Sequence, residues 1–534
     1  MTDIKAVEFL FLLLLVFIVL FGQLAKKIST AYPIVMIVGG LLLSFIPGVP
    51  QFSLEPDLIF LVVLPPLLYS SAWTTSWRDF RFNLSSILLL AFGLVGFTVV
   101  GVAFLTPKVL AGFDWRLGLV LGAVVAPTDA IAATSIARRI GLPSRIVDIL
   151  EGESLINDAT GLLALQFAVA LVVDGRVPTV SSGLLTLAWL TVGGIALGLL
   201  VGWLVDLAER HIDDGPIETA LSILVPYLAY FIADAVHASG VLAVVACGLY
   251  LTRRSAHIFS PSVRIQIWAF WESFTFVLNG LVFLLIGLQL PSILASIRGY
   301  SIRAMIVDGL VFSGVLIVLR LVWVYPGAHL AHMMRHHLQH QKDQAPRPRE
   351  VFVLGWTGMR GVVSLAAALS LPRFLENGSD FPQRNFIVFL TFCVILVTLV
   401  LQGITLTPLV RILGLAGAAG PNCEELEARR IVLEAAVAHL ESSKLKDEEE
   451  TYESYEHLIE HYQNRLASLQ PEAENEGSAT DHRRYIELTR ATYRIERETA
   501  VRLRNDGRIN DQVLRRIERE LDLNESRFLQ TAED

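Results

Sequence analysis

Two neighbouring apolar stretches carry acids in places where lipid should exclude them. In GAVVAPTDAIAATSIARRIGLPSRIVDILEGESLINDATG (122–161), Pro127, Thr128 and Asp129 interrupt the first stretch, and Glu153, Ser154, Asn157 and Asp158 stand in the second. An ionisable residue inside a membrane span is costly and by default marks a path for ions or protons. On a helix Ser154 and Asp158 are one turn apart, as are Glu153 and Asn157. One face therefore offers a carboxylate and a hydroxyl, with a second carboxylate and an amide beside them. Small hard cations such as Na⁺ take oxygen ligands. A carboxylate withdrawn from water holds a proton or a cation but not both, and that competition is itself an exchange mechanism. Asp158 is the residue expected to do this.

Its neighbours have weaker claims. Pro127 removes a backbone donor and frees carbonyls, while Thr128 adds a hydroxyl that is a candidate direct ligand. Asp129 either binds the ion or neutralises the positive end of a half-helix, with the second role favoured. Glu153 needs a counter-charge in lipid. Arg360, flanked by Gly358 and Gly361, is the preferred partner and Arg320 the second candidate, in a pair that is structural rather than catalytic. Asn157 cannot carry a proton and is expected to orient neighbours or cap a broken helix.

The elements that position these groups follow from composition. Of 534 residues, 53% are hydrophobic and 18% charged, against about 25% charged in soluble domains. Apolar runs near 20 residues long predict an all-α polytopic membrane protein with 13 transmembrane helices. They lie at 7–24, 32–48, 57–73, 85–106, 116–138, 153–173, 183–205, 216–235, 239–253, 263–290, 302–326, 351–372 and 386–412. The first could pass for a signal peptide, but no small-x-small cleavage site follows and Lys26–Lys27 come directly after it, so it is read as a span. Cys247, Cys393 and Cys423 have no ligand spacing and predict no disulfide framework.

Loop charges orient the spans. Lys26/Lys27, Arg78/Arg81, Arg138/Arg139/Arg145, Arg253/Arg254/Arg264 and the segment 335–349 fall in alternate loops, with Arg298 and Arg303 the exception. Positive-inside logic then places the N-terminus outside and the C-terminus in the cytoplasm of a bacterial inner (plasma) membrane. The fifth span is interrupted by APTDA (126–130) and the twelfth by GWTGMRG (355–361). Interrupted spans at corresponding places in two halves point to an inverted-repeat transporter with its site at the midplane, spans 4–6 mirroring spans 11–13.

After Pro421 the chain becomes charged and helical. Residues 421–534 hold 27 acids and 17 bases, a net of −10, while 1–420 carry a net of +2. The tail (413–534) is read as a soluble helical bundle with a polar linker at 471–481; nothing in it suggests nucleic-acid binding. Asp234, His237 and Ser239 fit a solvated outer turn better than a ligand set. His332, His336 and His340 fit a plain cationic loop better than a pH sensor or metal site. Glu272 and Asn279 either line the path or pair across a subunit interface.

At these residues the chain resembles the monovalent cation–proton antiporters, in the NhaP and sodium–proton exchanger branch. The resemblance covers most of 1–412 and is carried by LPPLLYSSAW (64–73), APTDA (126–130), GESLINDATG (152–161), VPYLAYFIADAVHASGVLAVVACGLYL (225–251), LNGLVFLLIGLQL (278–290), GMRGVVSLAAAL (358–369) and VILVTLVLQGITLTPLV (394–410). The tail helix LRRIERELDL (514–523) also looks like the end of bacterial members. The resemblance implies that Asn157–Asp158 is the family's Asn-Asp pair, with electroneutral one-for-one exchange. Thr128, Asp129 and Ser154 would surround the cation, with Na⁺ at Asp158, Thr128 and Ser154. Glu153 and Arg360 would form the family's buried ion pair. It further implies the NhaA/NhaP-like antiporter fold: a homodimer with a dimerisation part (spans 1–3 and 7–10) beside a six-helix core (spans 4–6 and 11–13) that moves like an elevator. Archaeal relatives tend to have a Glu near the position of Ser70, which PPLLYSSA lacks, so ion preference is open.

The function expected is thus Na⁺(Li⁺)/H⁺ antiport without a cofactor, serving pH homeostasis and salt tolerance. K⁺/H⁺ antiport is the runner-up, and a tail-gated channel or sensor is the rival from another class. A channel needs a continuous filter, and the sequence offers a single-carboxylate site instead. No metal cluster, nucleophile elbow or phosphate loop supports an enzyme.

Overall fold

The computed structural model describes residues 2–46, 55–173, 180–212, 214–297, 301–338, 346–375, 378–417, 423–444 and 452–468, and within 492–524 residues 492–503, 505–506, 508, 513–514, 517 and 521–524. These residues are almost wholly helical, and they divide into two compact units, 1–419 and 420–534.

The first unit runs through α1 (Thr2–Lys27), α2 (Tyr32–Leu43), α3 (Leu58–Thr74), α4 (Leu84–Val109), α5 (Trp115–Val125), α6 (Ala130–Arg139), α7 (Ser144–Val173), α8 (Leu185–Glu209), α9 (Gly215–Ala235), α10 (Gly240–Ile258), α11 (Val263–Ser296), α12 (Ile302–Leu338), α13 (Pro348–Trp356), α14 (Val362–Leu369) and α15 (Arg384–Ile412). By length and composition α4, α7, α8, α9, α11, α12 and α15 can each cross a membrane. The pair α5 and α6, bent by 41° at its break, makes an eighth crossing. The apolar runs predict thirteen spans. Length and apolarity alone identify these eight among the described residues; three of the other five runs fold as short helices (α2, α3) or as halves of a broken one (α13, α14).

Two boundaries differ from expectation. The sixth span, predicted from Glu153, begins at Ser144; Asp148 and Glu151 lower the apolarity of its first turns without breaking the helix. His332 and His336, expected in a loop, lie on α12, which continues to Leu338; His340 and Arg298 lie outside the described residues.

Prolines and glycines shape the frame around the site. Pro65 and Pro66 have no N–H to return to the preceding turn, and α3 widens ahead of them into a π turn over Leu58–Val63. The Tyr227 phenol donates to the Val62 carbonyl at 2.9 Å, occupying an acceptor that the prolines leave over. A Cβ at Gly118 or Gly122 would strike the α4 backbone at Ala103 and Val99, so these glycines let α5 lie directly on α4.

In the second unit α16 (Cys423–Lys444) and α17 (Tyr452–Ser468) pack on each other, with Lys444 and Glu456 paired at 2.7 Å. The predicted linker 471–481 lies outside the described residues, and the predicted helix 514–523 is described only in part.

Candidate functional site

Pro127 and the glycine pair Gly358/Gly361 break two helices, and the breaks cross. Residues 126–129 separate α5 from α6, and 357–361 separate α13 from α14. The freed backbone of each break bonds the other: the Asp129 N–H donates to the Met359 carbonyl at 2.8 Å. The Ser364 hydroxyl donates to the Pro127 carbonyl at 3.4 Å. Arg360 Nε donates to the Val125 carbonyl at 3.1 Å. In a dry interior each unmade backbone bond is costly, so the crossing is fixed by mutual satisfaction of the two breaks.

Four half-helix ends meet here, and two side chains serve them. Asp129 caps α6, its Oδ1 accepting from the Ile131 N–H at 2.8 Å. The cap of α14 is Gly361, which has no side chain, and a Cβ there would collide with the Asp129 carboxylate. One carboxylate thus stands at the positive ends of both α6 and α14. Arg360, 1% exposed, serves the opposite ends: its guanidinium donates to the carbonyl of Val125, the last residue of α5, and to that of Gly358, just beyond α13. Its own N–H donates to Thr398 Oγ1 at 3.1 Å.

This placement corrects the expected Glu153–Arg360 pair. The partner of Glu153 is Arg320 on α12, the second candidate, through a two-point contact: Nη1 to Oε1 at 2.6 Å and Nη2 to Oε2 at 2.8 Å, with both residues 1% exposed. Arg360 goes to carbonyls because breaks in its own and the crossing helix present unbonded acceptors within reach. Thr128 Oγ1 also donates to Glu153 Oε1, at 2.9 Å, and accepts from Asn157 Nδ2 at 2.7 Å. Asn157 thereby orients Thr128, and its Nδ2 also bonds the Thr128 carbonyl at 3.3 Å.

Asp158 lies outside this network. It is 7% exposed, and no described residue donates a hydrogen bond to its carboxylate. It faces a cavity shared with Thr128, Asp129 and Ser154 from one side and with Ser71 and Asn279 from the other. Ser154 Oγ accepts from the Ala130 N–H at 3.4 Å. Ser71, Ser154 and Asn279 also line a wider opening that runs past Ser70 and Thr134 to the Arg138–Glu151 ion pair (2.6 Å). A charged group in a largely apolar cavity, open to water at one end and without a protein partner, can take up a proton or a small cation.

The structure separates the remaining candidates. Glu272 is exposed, whereas Asn279 is 5% exposed and lines the cavity that Asp158 faces. Asp234 and His237 are exposed, and Ser239 caps α10 by accepting from the Leu242 N–H at 3.2 Å. The His332 and His336 rings lie 6.5 Å apart, and no group of His, Cys, Asp and Glu among the described residues could hold a metal ion. Sequence reasoning missed Ser71, Ser364 and Thr398, whose only signal is a hydroxyl in an apolar run.

Comparison with known proteins bears on the family and the fold. The family described as "Sodium/hydrogen exchanger, transmembrane" matches residues 12–412. An uncharacterized Na⁺/H⁺ exchanger of Mycobacterium tuberculosis is 34% identical over 518 residues, 96% of this chain and 94% of that protein. The Na⁺/H⁺ antiporter ApNhaP of Aphanothece halophytica is 30% identical over 491 residues, 90% of this chain and 89% of that protein. Among solved structures, the sodium proton antiporter MjNhaP1 from Methanocaldococcus jannaschii shares the fold, with a TM-score of 0.60 and 21% identity, covering 76% of this chain and all of that one.

Proposed function

Because the chain belongs to the sodium/hydrogen exchanger family, a family of multi-pass membrane proteins that exchange monovalent cations for protons, we propose that it is a Na⁺(Li⁺)/H⁺ antiporter working by competition at Asp158. The observation that carries this reading is the isolation of Asp158. Every other charged group at the crossing has a protein partner: Asp129 the half-helix N-termini, Arg360 the freed carbonyls, Glu153 the Arg320 guanidinium. Asp158 has none, so neutralising it requires something from solution.

A proton on Asp158 removes its charge and with it the attraction for a cation. A cation resting on Asp158, Ser154 and the free lone pair of Thr128 excludes the proton, because both need the same carboxylate oxygens. One carboxylate exchanging one for one makes the cycle electroneutral. Asp129 completes the shell electrostatically while it caps α6 and α14. No cofactor is needed for this chemistry.

Alternating access follows from the division of the cavity wall. Asp158, Thr128 and Ser154 lie on the side of the crossing, and Ser71 and Asn279 on the side of α3 and α11. The proposed protein is a homodimer of thirteen-span protomers in the cytoplasmic membrane, N-terminus outside and C-terminal helices in the cytoplasm. The spans around the crossing slide like an elevator against the rest, in the service of pH homeostasis and salt tolerance. The opening lined by Arg138 and Glu151 then faces the cytoplasm, the side of the basic loops. With hydroxyls at Ser70 and Ser71 where archaeal relatives tend to have a Glu, K⁺ is the second cation to consider.

The test is dissipation of a pH gradient, followed by dye, in inside-out vesicles given Na⁺, Li⁺ and K⁺ in turn. The wild type should respond to Na⁺ and Li⁺, and Asp158→Asn should respond to none while inserting normally. Transport by Asp158→Asn near the wild-type rate would sink the site assignment.

A further inference from the structure

Asn279 sits on α11, in the middle of LNGL, and is 5% exposed. Its Oδ1 has no hydrogen-bond partner. The residue lines both the cavity at Asp158 and the wider opening that leads to it, where Tyr32 of α2 lies against its side chain. A buried amide oxygen without a partner is destabilising, and a leucine of similar volume would avoid the loss. The amide nitrogen side bonds Tyr32, but folding stability does not explain the unpartnered oxygen.

We propose that Asn279 Oδ1 is a cation ligand, the neutral oxygen contributed from the α3/α11 wall to an ion resting on Asp158. The inference rests on the reading of Asp158 as the exchange site. An amide carbonyl is a hard oxygen donor of the kind that completes shells for Na⁺ and Ca²⁺. It adds no charge, so it strengthens cation binding without adding a second group that must be protonated and deprotonated in each cycle. The third span offers only hydroxyls near Ser70, and Asn279 supplies a stronger dipole from the same wall of the cavity. Because α3 and α11 stand opposite the crossing, the ligand is available only while the crossing is in the position seen here. Asn279 thus favours cation capture on the side of the Arg138–Glu151 opening and release once the crossing has moved away.

The experiment measures the half-saturating Na⁺ concentration in inside-out vesicles at an alkaline pH, where protons compete least, for wild type, Asp158→Asn, Asn279→Leu and Asn279→Asp. Thermal unfolding of each purified protein is followed in parallel. Asn279→Leu should raise the half-saturating Na⁺ at least fivefold, with a maximal rate within about twofold of wild type and cooperative unfolding retained. Asn279→Asp, which keeps the shape and adds a charge, should lower it and serves alone if the leucine variant fails to insert. Half-saturation within twofold of wild type in both variants would overturn the assignment. So would a variant that shifts only the pH profile, since Asn279 would then be accepting from protonated Asp158 rather than holding a cation. A wild type without cation-driven dissipation, or an active Asp158→Asn, would instead overturn the antiport reading on which this rests.

Discussion

Arg320 grips both carboxylate oxygens of Glu153, at 2.6 and 2.8 Å, with each residue 1% exposed. The pair ties α12 to α7, the helix that carries Asp158. Through Thr128, which donates to the same carboxylate, it also fixes the unwound segment between α5 and α6. A group held from two sides in this way joins helices rather than holding an ion. It is a brace, and the consequences of removing it can be stated.

Arg320→Ala should destabilise the protein strongly, on the order of 3–5 kcal/mol, because it leaves Glu153 charged and buried without a partner. Arg320→Lys should recover little, since an ammonium cannot reproduce the two-point contact. Thermal unfolding in detergent checks both. The double change Glu153→Leu with Arg320→Leu should be milder than either single loss; greater damage from the double change would contradict the brace assignment.

The proposed competition at Asp158 predicts the pH dependence of transport. Below the pH at which Asp158 titrates, each unit of falling pH should raise the half-saturating Na⁺ concentration by up to about tenfold while the maximal rate holds. Above it, half-saturation should become flat. A rate that collapses at low pH with unchanged half-saturation would argue for a separate inhibitory proton site.

Gly361→Ala places a Cβ against the Asp129 carboxylate. The carboxylate must shift away from the α14 N-terminus, and the cavity it shares with Asp158 loses its geometry. Transport should fall by an order of magnitude or more, consistent with loss of roughly 1–2 kcal/mol of end-charge compensation, in a protein that still inserts. Wild-type transport rates in vesicles would show that Asp129 does not need this position.

Tyr227→Phe removes the phenol that occupies the Val62 carbonyl ahead of Pro65–Pro66. The cost should be about 1 kcal/mol, seen as a lower melting temperature with the half-saturating Na⁺ unchanged. A changed cation affinity would mean that the π turn of α3 reaches the site.

Much of this arrangement was legible in the sequence, and the residues show why the rest was not. Pro127 and the Gly358/Gly361 pair announce two breaks, and the structure opens the helices at 126–129 and 357–361. Asp158 and Ser154 are one turn apart by arithmetic and line one cavity. The partner of Glu153 is not legible: the glycines beside Arg360 make it the preferred partner in sequence, yet the structure pairs Glu153 with Arg320. The choice depends on how α7, α12 and α13 rotate against one another, which no local pattern encodes. The pull of unbonded carbonyls at Val125 and Gly358 decides the matter, and it exists only once the breaks have crossed. For the same reason sequence does not decide between path and interface for Asn279: its facing neighbours come from α2, α3 and the crossing, all distant in sequence.

The isolation of Asp158 also bears on a failure the protein must avoid. A carrier that returns empty is a leak, since it lets one ion run downhill without its counterpart. Here the empty site is a bare carboxylate in a wall whose other charges are already spoken for. Dragging that carboxylate past the apolar side chains of α3, among them Val63, Leu64 and Leu67, would expose it to a medium that penalises unpaired charge heavily. A proton or a cation lifts the penalty equally well, so either may ride and neither may be skipped. On the proposed mechanism, the rule that separates an exchanger from an uncoupler is written in what Asp158 lacks.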